Sequence, residues 1–149
     1  IVTVGPPLFL MVALVLEGSG PEGISGFFSV GGRIVLAGAV VSAVYTAISF
    51  AVSATTDRVG AAIASTLGLL VGSSVIANIV AETTDISEDI RMLDLLQLPT
   101  ELAFRIHGET GNFDWISIST RNLWLACGGI ILASAAWVWS RYGPLLVRR

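Results

Sequence analysis

The sequence predicts an all-α fold: a polytopic membrane helix bundle with four transmembrane helices, the first truncated, and a short amphipathic helix pair in its last outer loop. The 149 residues are 54% hydrophobic and only 13% charged, about half the charge of soluble domains. Charges are absent from residues 34–56, 59–81 and 122–140, and each run is long enough to cross a hydrocarbon core of about 30 Å. Trp124 and Trp139 lie near opposite ends of the last run, as expected for rings at two membrane interfaces.

Composition also excludes several classes of protein. The high hydrophobicity excludes disorder, and the lone Cys127 excludes a disulfide framework. A net charge of −3 argues against nucleic acid as a partner. The chain has no lysine, so it contains neither a Walker A motif nor a Ser–Lys catalytic dyad. Together with acidic outer loops, this lack of lysine is typical of a halophilic archaeal source, although a GC-rich genome would also replace lysine by arginine.

The first half of the chain predicts three spans. Residues 1–16 are apolar but short for a full crossing, with Pro6 and Pro7 at a kink or at the start of the helix. Because the chain opens within an apolar run, we expect it to be the C-terminal part of a longer protein. A Gly-rich loop over 17–33 leads to the spans 34–56 and 59–81. The very tight turn at Asp57 and Arg58 joins these two spans as an antiparallel hairpin.

The outer loop, residues 82–121, contains the pattern of two short amphipathic helices. Ser87 is the expected N-cap of the first, which has apolar side chains at 90, 93 and 96 and ends at Pro99. Thr100 is the expected cap of the second, which ends at Gly108. The pair either dips into the outer membrane interface or forms an ordinary folded external loop. The last span, 122–140, follows this loop.

Arginine density predicts the orientation of the chain. Arg residues are denser in the turn at 57–58 and in the tail 141–149 than in the stretches 17–33 and 82–121. By the positive-inside rule, the turn, the tail and the C-terminus are therefore expected in the cytoplasm. The protein is expected to be a multi-pass protein of the cell membrane with its acidic loops outside.

Two sets of residues are candidates for contacts. Small residues recur every four positions along the third span, where they would let two helix backbones approach closely; they are Gly60, Ala64, Gly68 and Gly72. Packing within the bundle is the favoured interpretation, and a subunit interface or a translocation path is the alternative. Asp57 and Arg58 are candidates for contact with a cytoplasmic partner, although fixing the turn at the headgroup level would also explain them.

Catalytic chemistry has little support in the sequence. Ser73 and Ser74 lie inside a span and His107 is the only histidine, which would suit an intramembrane serine hydrolase. This alternative is disfavoured, because His107 lies in the outer loop and no GxSG motif accompanies the serines. One cysteine and one histidine do not make a metal site, and no cofactor is expected. The four predicted spans contain no Asp, Glu, Lys, Arg or His, whereas ion-coupled transporters need such groups at membrane depth. Energy coupling is therefore expected on another chain, and this chain is not expected to be an enzyme.

Three segments together resemble the C-terminal half of an ABC-2 type transporter permease. They are the hairpin AISFAVSATTDRVGAAIASTLGLLVGSSVIA, the Pro-broken stretch DLLQLPTELAFRI and the ending WVWSRYGPLLVRR. The resemblance implies six spans with cytoplasmic termini, of which this chain has the end of the third and the fourth to sixth, with re-entrant outer helices before the last. It also implies two partners besides the lipid bilayer: a cytoplasmic ATP-binding subunit and a second permease subunit. The alternative is a non-transporting membrane anchor or assembly protein.

Overall fold

The structure, a computed structural model, describes residues 4–20, 23–83, 88–111 and 117–146. These residues form five α-helices and one 3₁₀ helix, with no strand among them. The 3₁₀ helix is Glu88–Leu93, and the α-helices are α1 (Gly5–Leu16), α2 (Gly23–Ser53), α3 (Val59–Thr83), α4 (Leu98–His107) and α5 (Thr120–Leu146). By length and composition, α2, α3 and α5 are able to cross a membrane. The chain is thus an all-α, multi-pass membrane protein.

The count of four spans is not confirmed, because α1 is short. Its 12 residues extend about 18 Å, well below the hydrocarbon thickness. Pro6 and Pro7 stand in its first turn, where a missing N–H costs nothing. These prolines therefore mark the start of α1 and do not kink it.

The Gly-rich stretch that was expected as a loop is largely helical, since α2 begins at Gly23 and not near residue 34. In an apolar environment each backbone N–H and C=O must be bonded within its own segment, which outweighs the weak helix propensity of glycine. Helix α1 packs against this part of α2. Met11 is 5% exposed, and its methyl carbon lies 3.5 Å from where a Cβ at Gly31 would stand.

The predicted tight turn between the second and third spans is present. Helix α2 ends at Ser53 and α3 begins at Val59. The Thr55 hydroxyl donates to the carbonyl of Val52 at 2.6 Å, and the Arg58 amide donates to Thr56 Oγ1 at 3.3 Å. These side-chain bonds use backbone groups that the helix ends leave free. At the other end of the chain, α5 continues to Leu146, so the expected tail is partly helical.

The core of the bundle lies where α4 packs between α2 and α5. Apolar side chains from all three helices meet there, together with Ile118 just before α5; the fully buried cluster is Val44, Ile48, Leu98, Leu102, Ile118, Leu123 and Cys127. In contrast, α3, described from end to end, buries only Ala77. The segment expected in the outer loop therefore forms the centre of the fold, and one of the three long helices lies at its edge.

Gly108 is the residue whose backbone conformation ends α4. Its φ of +89° is left-handed, and its amide donates to the carbonyl of Arg105. We expect Gly108→Ala to lower the free energy of unfolding by about 1 kcal/mol, because a Cβ is strained at this φ. Gly32→Ala is the matched control for thermal or denaturant unfolding. Neither glycine has an atom within 4 Å of its Cβ position, so an equal loss at both sites would contradict this explanation.

Candidate functional site: the inserted segment and its polar cluster

Residues 88–107, which we name the inserted segment, reverse direction inside the bundle at Asp94. One carboxylate oxygen of Asp94, Oδ1, accepts the amides of Leu96 and Gln97, each at 3.0 Å. The Asp94 carbonyl accepts the amide of Leu98 at 2.9 Å. Together these bonds close a turn that connects the 3₁₀ helix to α4. Asp94 thus acts much as an N-cap does, by satisfying the first amides ahead of a helix.

The other carboxylate oxygen, Oδ2, faces α3. It accepts the Ser74 hydroxyl at 2.8 Å and the Asn78 side-chain amide at 3.4 Å. Beside it, Ser73 Oγ accepts the amide of Leu95 at 3.2 Å, and Asn78 Oδ1 accepts Arg91 Nη1 at 3.2 Å. We name this group the Asp94 cluster: Ser73, Ser74, Asn78, Arg91 and Asp94.

The Asp94 cluster places an acidic group well inside the helix bundle. Asp94 is 2% exposed, and Ser74 lies about 14 Å from the Thr83 end of α3 at the rise of an α-helix. A buried carboxylate is costly unless hydrogen bonds satisfy it, and Asp94 has four donors from two elements. Acidic groups at such depth are usually functional or specify how helices pack. The spans themselves lack such groups at their centres, and the inserted segment supplies one.

The helix pair within the loop differs from its predicted form. The first member is a short 3₁₀ helix, and Ser87, its expected cap, lies outside the described residues. Pro99 does not end that helix; it stands in the first turn of α4, where proline is well tolerated. Thr100 is inside α4, and its hydroxyl donates to the carbonyl of Gln97 at 2.6 Å. The prediction that Gly108 ends the second helix is confirmed.

Two hydrogen bonds align α4 antiparallel to α2. The Tyr45 hydroxyl donates to the carbonyl of Leu96 at 2.7 Å, and Arg33 Nη1 donates to the carbonyl of His107 at 3.4 Å. Tyr45 and Arg33 stand about 18 Å apart along α2. The inserted segment therefore reaches deepest at its Asp94 turn and returns along α2 toward Arg33.

The Tyr45 bond gives a small, specific prediction. Tyr45→Phe removes only the hydroxyl, so we expect a loss of about 1 kcal/mol in the free energy of unfolding. Tyr142→Phe is the control, because Tyr142 is 48% exposed on α5. Thermal unfolding of both variants checks this. An unaltered Tyr45→Phe protein would mean that the Leu96 carbonyl finds another donor.

A second buried acid stabilises α4 itself. Glu101 is 3% exposed; its Oε1 accepts Arg105 Nε at 3.1 Å, one turn along the helix. Its Oε2 accepts the amide of Gly111 at 3.0 Å. Since these bonds lie within α4 and the residues after it, Glu101 organises the exit of the inserted segment.

Most of the small-residue stripe of α3 faces away from the described part of the chain. Gly60, Ala64 and Gly68 are exposed and Gly72 is half-buried. A Cβ at any of the three glycines would meet no atom within 4 Å. No described part of the chain therefore packs closely on the three glycines. A helix-packing role for the stripe stays a prediction, and its partner would be a helix outside the described residues.

Asp57 and Arg58 lie exposed in the turn at the end of the α2–α3 hairpin. They line a shallow cleft with polar residues of both helices, Ser53 and Thr66 among them. The cleft is at the Val59 end of α3, whereas the inserted segment contacts α3 nearer its other end, at Ser74 and Asn78. Contact with a cytoplasmic partner stays a prediction for both residues.

The residues considered for hydrolysis have separate places in the structure. Ser74 and Ser73 bond to the turn in the middle of the inserted segment, at Asp94 and Leu95. His107 is at its end, where Nδ1 lies 2.8 Å from the carbonyl of Ala103. The hydroxyls and the imidazole are therefore engaged in different contacts. The contact of the imidazole, at Ala103, is about ten residues farther along the chain than the contacts of the hydroxyls.

Sequence reasoning missed Asp94 and Tyr45 as parts of a site. A signal existed: Ser74 and Asn78 are one turn apart in a mostly apolar helix, and a polar pair of this kind favours a polar partner. Nothing in the sequence indicated which acid of the outer loop supplies it. Within the described residues, no three His, Cys, Asp or Glu side chains come together as metal ligands would. Comparisons with protein-family models, curated proteins and solved structures give no match.

Proposed function

We propose that the chain is a permease component of an ATP-driven transporter of the ABC-2 type, and that it forms part of the path of the substrate. The observation that supports this most is the inserted segment, which enters a bundle of apolar helices and holds the buried Asp94 against α3. Irregular backbone at membrane depth is tolerated where protein covers it or where it borders a cavity. Such segments are common in transport proteins, where they shape a path.

The chain's own residues favour a motor on a separate subunit. Without lysine the sequence has no Walker A motif, so ATP binding by that route belongs to a cytoplasmic partner. The turn with Asp57 and Arg58 is the exposed end of the hairpin and is our candidate for contact with that partner. The outward stripe of α3 suits a second permease subunit, which would complete the path across the cell membrane.

Purification of the full-length protein from its native membranes tests this proposal. We expect an ATP-binding subunit to co-purify, and the complex to hydrolyse ATP. A double variant, Asp57→Ala with Arg58→Ala, is expected to weaken the association without lowering thermal stability, since both side chains are exposed. The matched control is Glu109→Ala, an exposed acid at the far end of the bundle. Purification that never yields an ATP-binding subunit would contradict the proposal.

A non-transporting membrane anchor or assembly protein is the second candidate. The observation that favours it is the open small-residue stripe of α3, which suits close contact with a helix of another protein. This candidate predicts a stable complex that shows no ATP-dependent movement of any solute in reconstituted vesicles. Substrate-stimulated ATP hydrolysis by the purified complex would exclude it.

A further inference from the structure

A groove runs between α2 and α5 at the end of the bundle where the hairpin turn lies. On α2 it is lined by Ala47 and Phe50, within two turns of the Ser53 end, and on α5 by residues from Ile131 to Gly143. Its volume is about 430 Å³ and its walls are largely apolar. The rise from Ile131 to Gly143 is about 18 Å, close to the ~15 Å of hydrocarbon in one leaflet. The groove therefore has the length of a single acyl chain.

Two aromatic side chains mark the depth of this groove in the membrane. Trp139 and Tyr142 both line it, and they are 71% and 48% exposed. Amphipathic rings of this kind are enriched where the hydrocarbon meets the headgroups. The groove therefore opens at the headgroup level, beside these rings, and continues inward to Ile131.

Positive charge is concentrated at the open end of the groove. Arg141 is exposed and stands seven residues after Ser134, which lines the groove. Residues seven apart share one face of a helix, so Arg141 lies beyond the groove on the same face of α5. Residues 122–149 contain three arginines and no acid, and the charges of Asp57 and Arg58 in the nearby turn cancel. This end of the bundle is complementary to an anionic group.

We propose that the groove binds one anionic phospholipid, with an acyl chain between α2 and α5 and its phosphate at Arg141. An apolar groove alone would accept the chain of any lipid, so Arg141 is the residue that selects the headgroup. A guanidinium can donate two parallel hydrogen bonds to one phosphate. Each basic residue near the surface adds attraction for anionic lipid. The bound lipid joins α2 to α5 in the leaflet at the hairpin turn, and the proposal does not depend on the transport function.

A helix from a second copy of the chain is the competing occupant, and it is too large for the groove. An α-helix with its side chains is about 10 Å wide, so 18 Å of it occupies roughly 1,400 Å³. The groove holds about 430 Å³. The size of the groove therefore favours an acyl chain.

Native mass spectrometry of the full-length protein tests the choice of headgroup. The purified protein is mixed in detergent with equal amounts of phosphatidylglycerol and phosphatidylcholine, and the bound lipid is identified by its mass. We expect the wild type to retain one phosphatidylglycerol in preference to phosphatidylcholine. Arg141→Gln is expected to lower this preference about fivefold, the contribution of one basic residue near a membrane surface. Arg121→Gln removes an exposed arginine at the other end of α5 and is expected to keep the wild-type preference.

A second pair of variants tests the position of the acyl chain. Ala135 lines the groove, so the ring of Ala135→Phe would occupy the space of the chain, and we expect loss of bound lipid of either headgroup. Ala133→Phe places the same ring at an exposed position of α5 that does not line the groove, and we expect wild-type retention.

Three results would overturn the proposal. The first is equal retention of the two lipids by the wild type, because Arg141 would then select nothing. The second is equal retention of lipid by the Ala135→Phe and Ala133→Phe proteins, because the chain would then lie elsewhere. The third is a dimer without bound lipid that Ala135→Phe dissociates, because a second copy of the chain would then occupy the groove.

Discussion

Leu98→Ala and Leu102→Ala are each expected to lower the free energy of unfolding by about 2–5 kcal/mol. Both side chains are 0% exposed, at the point where α4 meets α2 and α5. In a membrane the loss comes mainly from missing dispersion contacts around the cavity, because lipid tails are as apolar as leucine. Thermal unfolding in one detergent or lipid system measures it. These two substitutions should be among the most damaging truncations in the chain.

The control for this prediction is Leu132→Ala. Leu132 is on α5, but it is 72% exposed, so its truncation leaves no internal cavity. We expect its effect to stay within about 0.5 kcal/mol. Equal stability losses at Leu132 and Leu98 would mean that α4 does not occupy the centre of the bundle.

Asp94→Leu is expected to cost about 3 kcal/mol or more of the free energy of unfolding. The leucine has a similar size, but it leaves the amides of Leu96 and Gln97 and the side chains of Ser74 and Asn78 without their acceptor. Each buried donor without a partner costs about 1–3 kcal/mol. Low local dielectric makes such partly satisfied networks especially unfavourable.

Asp94→Asn separates hydrogen bonding from size at this position. The asparagine keeps an oxygen for the Leu96 and Gln97 amides, so we expect a loss of only about 1 kcal/mol. Asp57→Leu, in the exposed turn, is the comparison for removal of an acid and should leave stability nearly unaltered. If Asp94→Leu proved as stable as the wild type, the hydrogen bonds of the Asp94 cluster would not be holding the turn.

The long helices were predictable because the membrane imposes simple requirements on sequence. A run without charges, followed by Asp57 and Arg58 and then a second such run, is sufficient to predict the α2–α3 hairpin. The early start of α2 was not predictable from propensity. Glycines at 26, 31 and 32 are typical of a loop in a water-soluble protein. In an apolar environment, however, the backbone must form its hydrogen bonds within its own segment, which favours a helix.

The inserted segment shows where local rules are overruled by tertiary contacts. Pro99 was expected to end a helix, but proline is equally suited to the first turn of one, and the Asp94 turn decides between these two roles. Asp94 and Glu101 have the sequence pattern of solvated loop acids. Their burial depends on partners far along the chain, Ser74 and Asn78 for Asp94, and no periodicity within residues 82–121 predicts that pairing.

The candidate site was predicted in part for the same reason. The stripe from Gly60 to Gly72 is predictable from sequence because its four-residue spacing is local. The side of the bundle toward which it faces is not predictable, because that depends on how α3 is rotated. The structure places most of the stripe outward, and it places Ser74 and Asn78, farther along α3, against Asp94. Orientation of a helix about its own axis is set by such tertiary contacts.

Cysteine accessibility in sealed vesicles tests most directly whether the inserted segment enters and leaves the bundle on one side. On a Cys127→Ser background, single variants Arg58→Cys, Glu82→Cys and Glu109→Cys report the hairpin turn, the end of α3 and the end of the inserted segment. All three positions are exposed. We predict that an impermeant maleimide labels the 82 and 109 variants from the same side and the 58 variant only from the other. Labelling of positions 82 and 109 from opposite sides would contradict the account, because the segment would then cross the membrane.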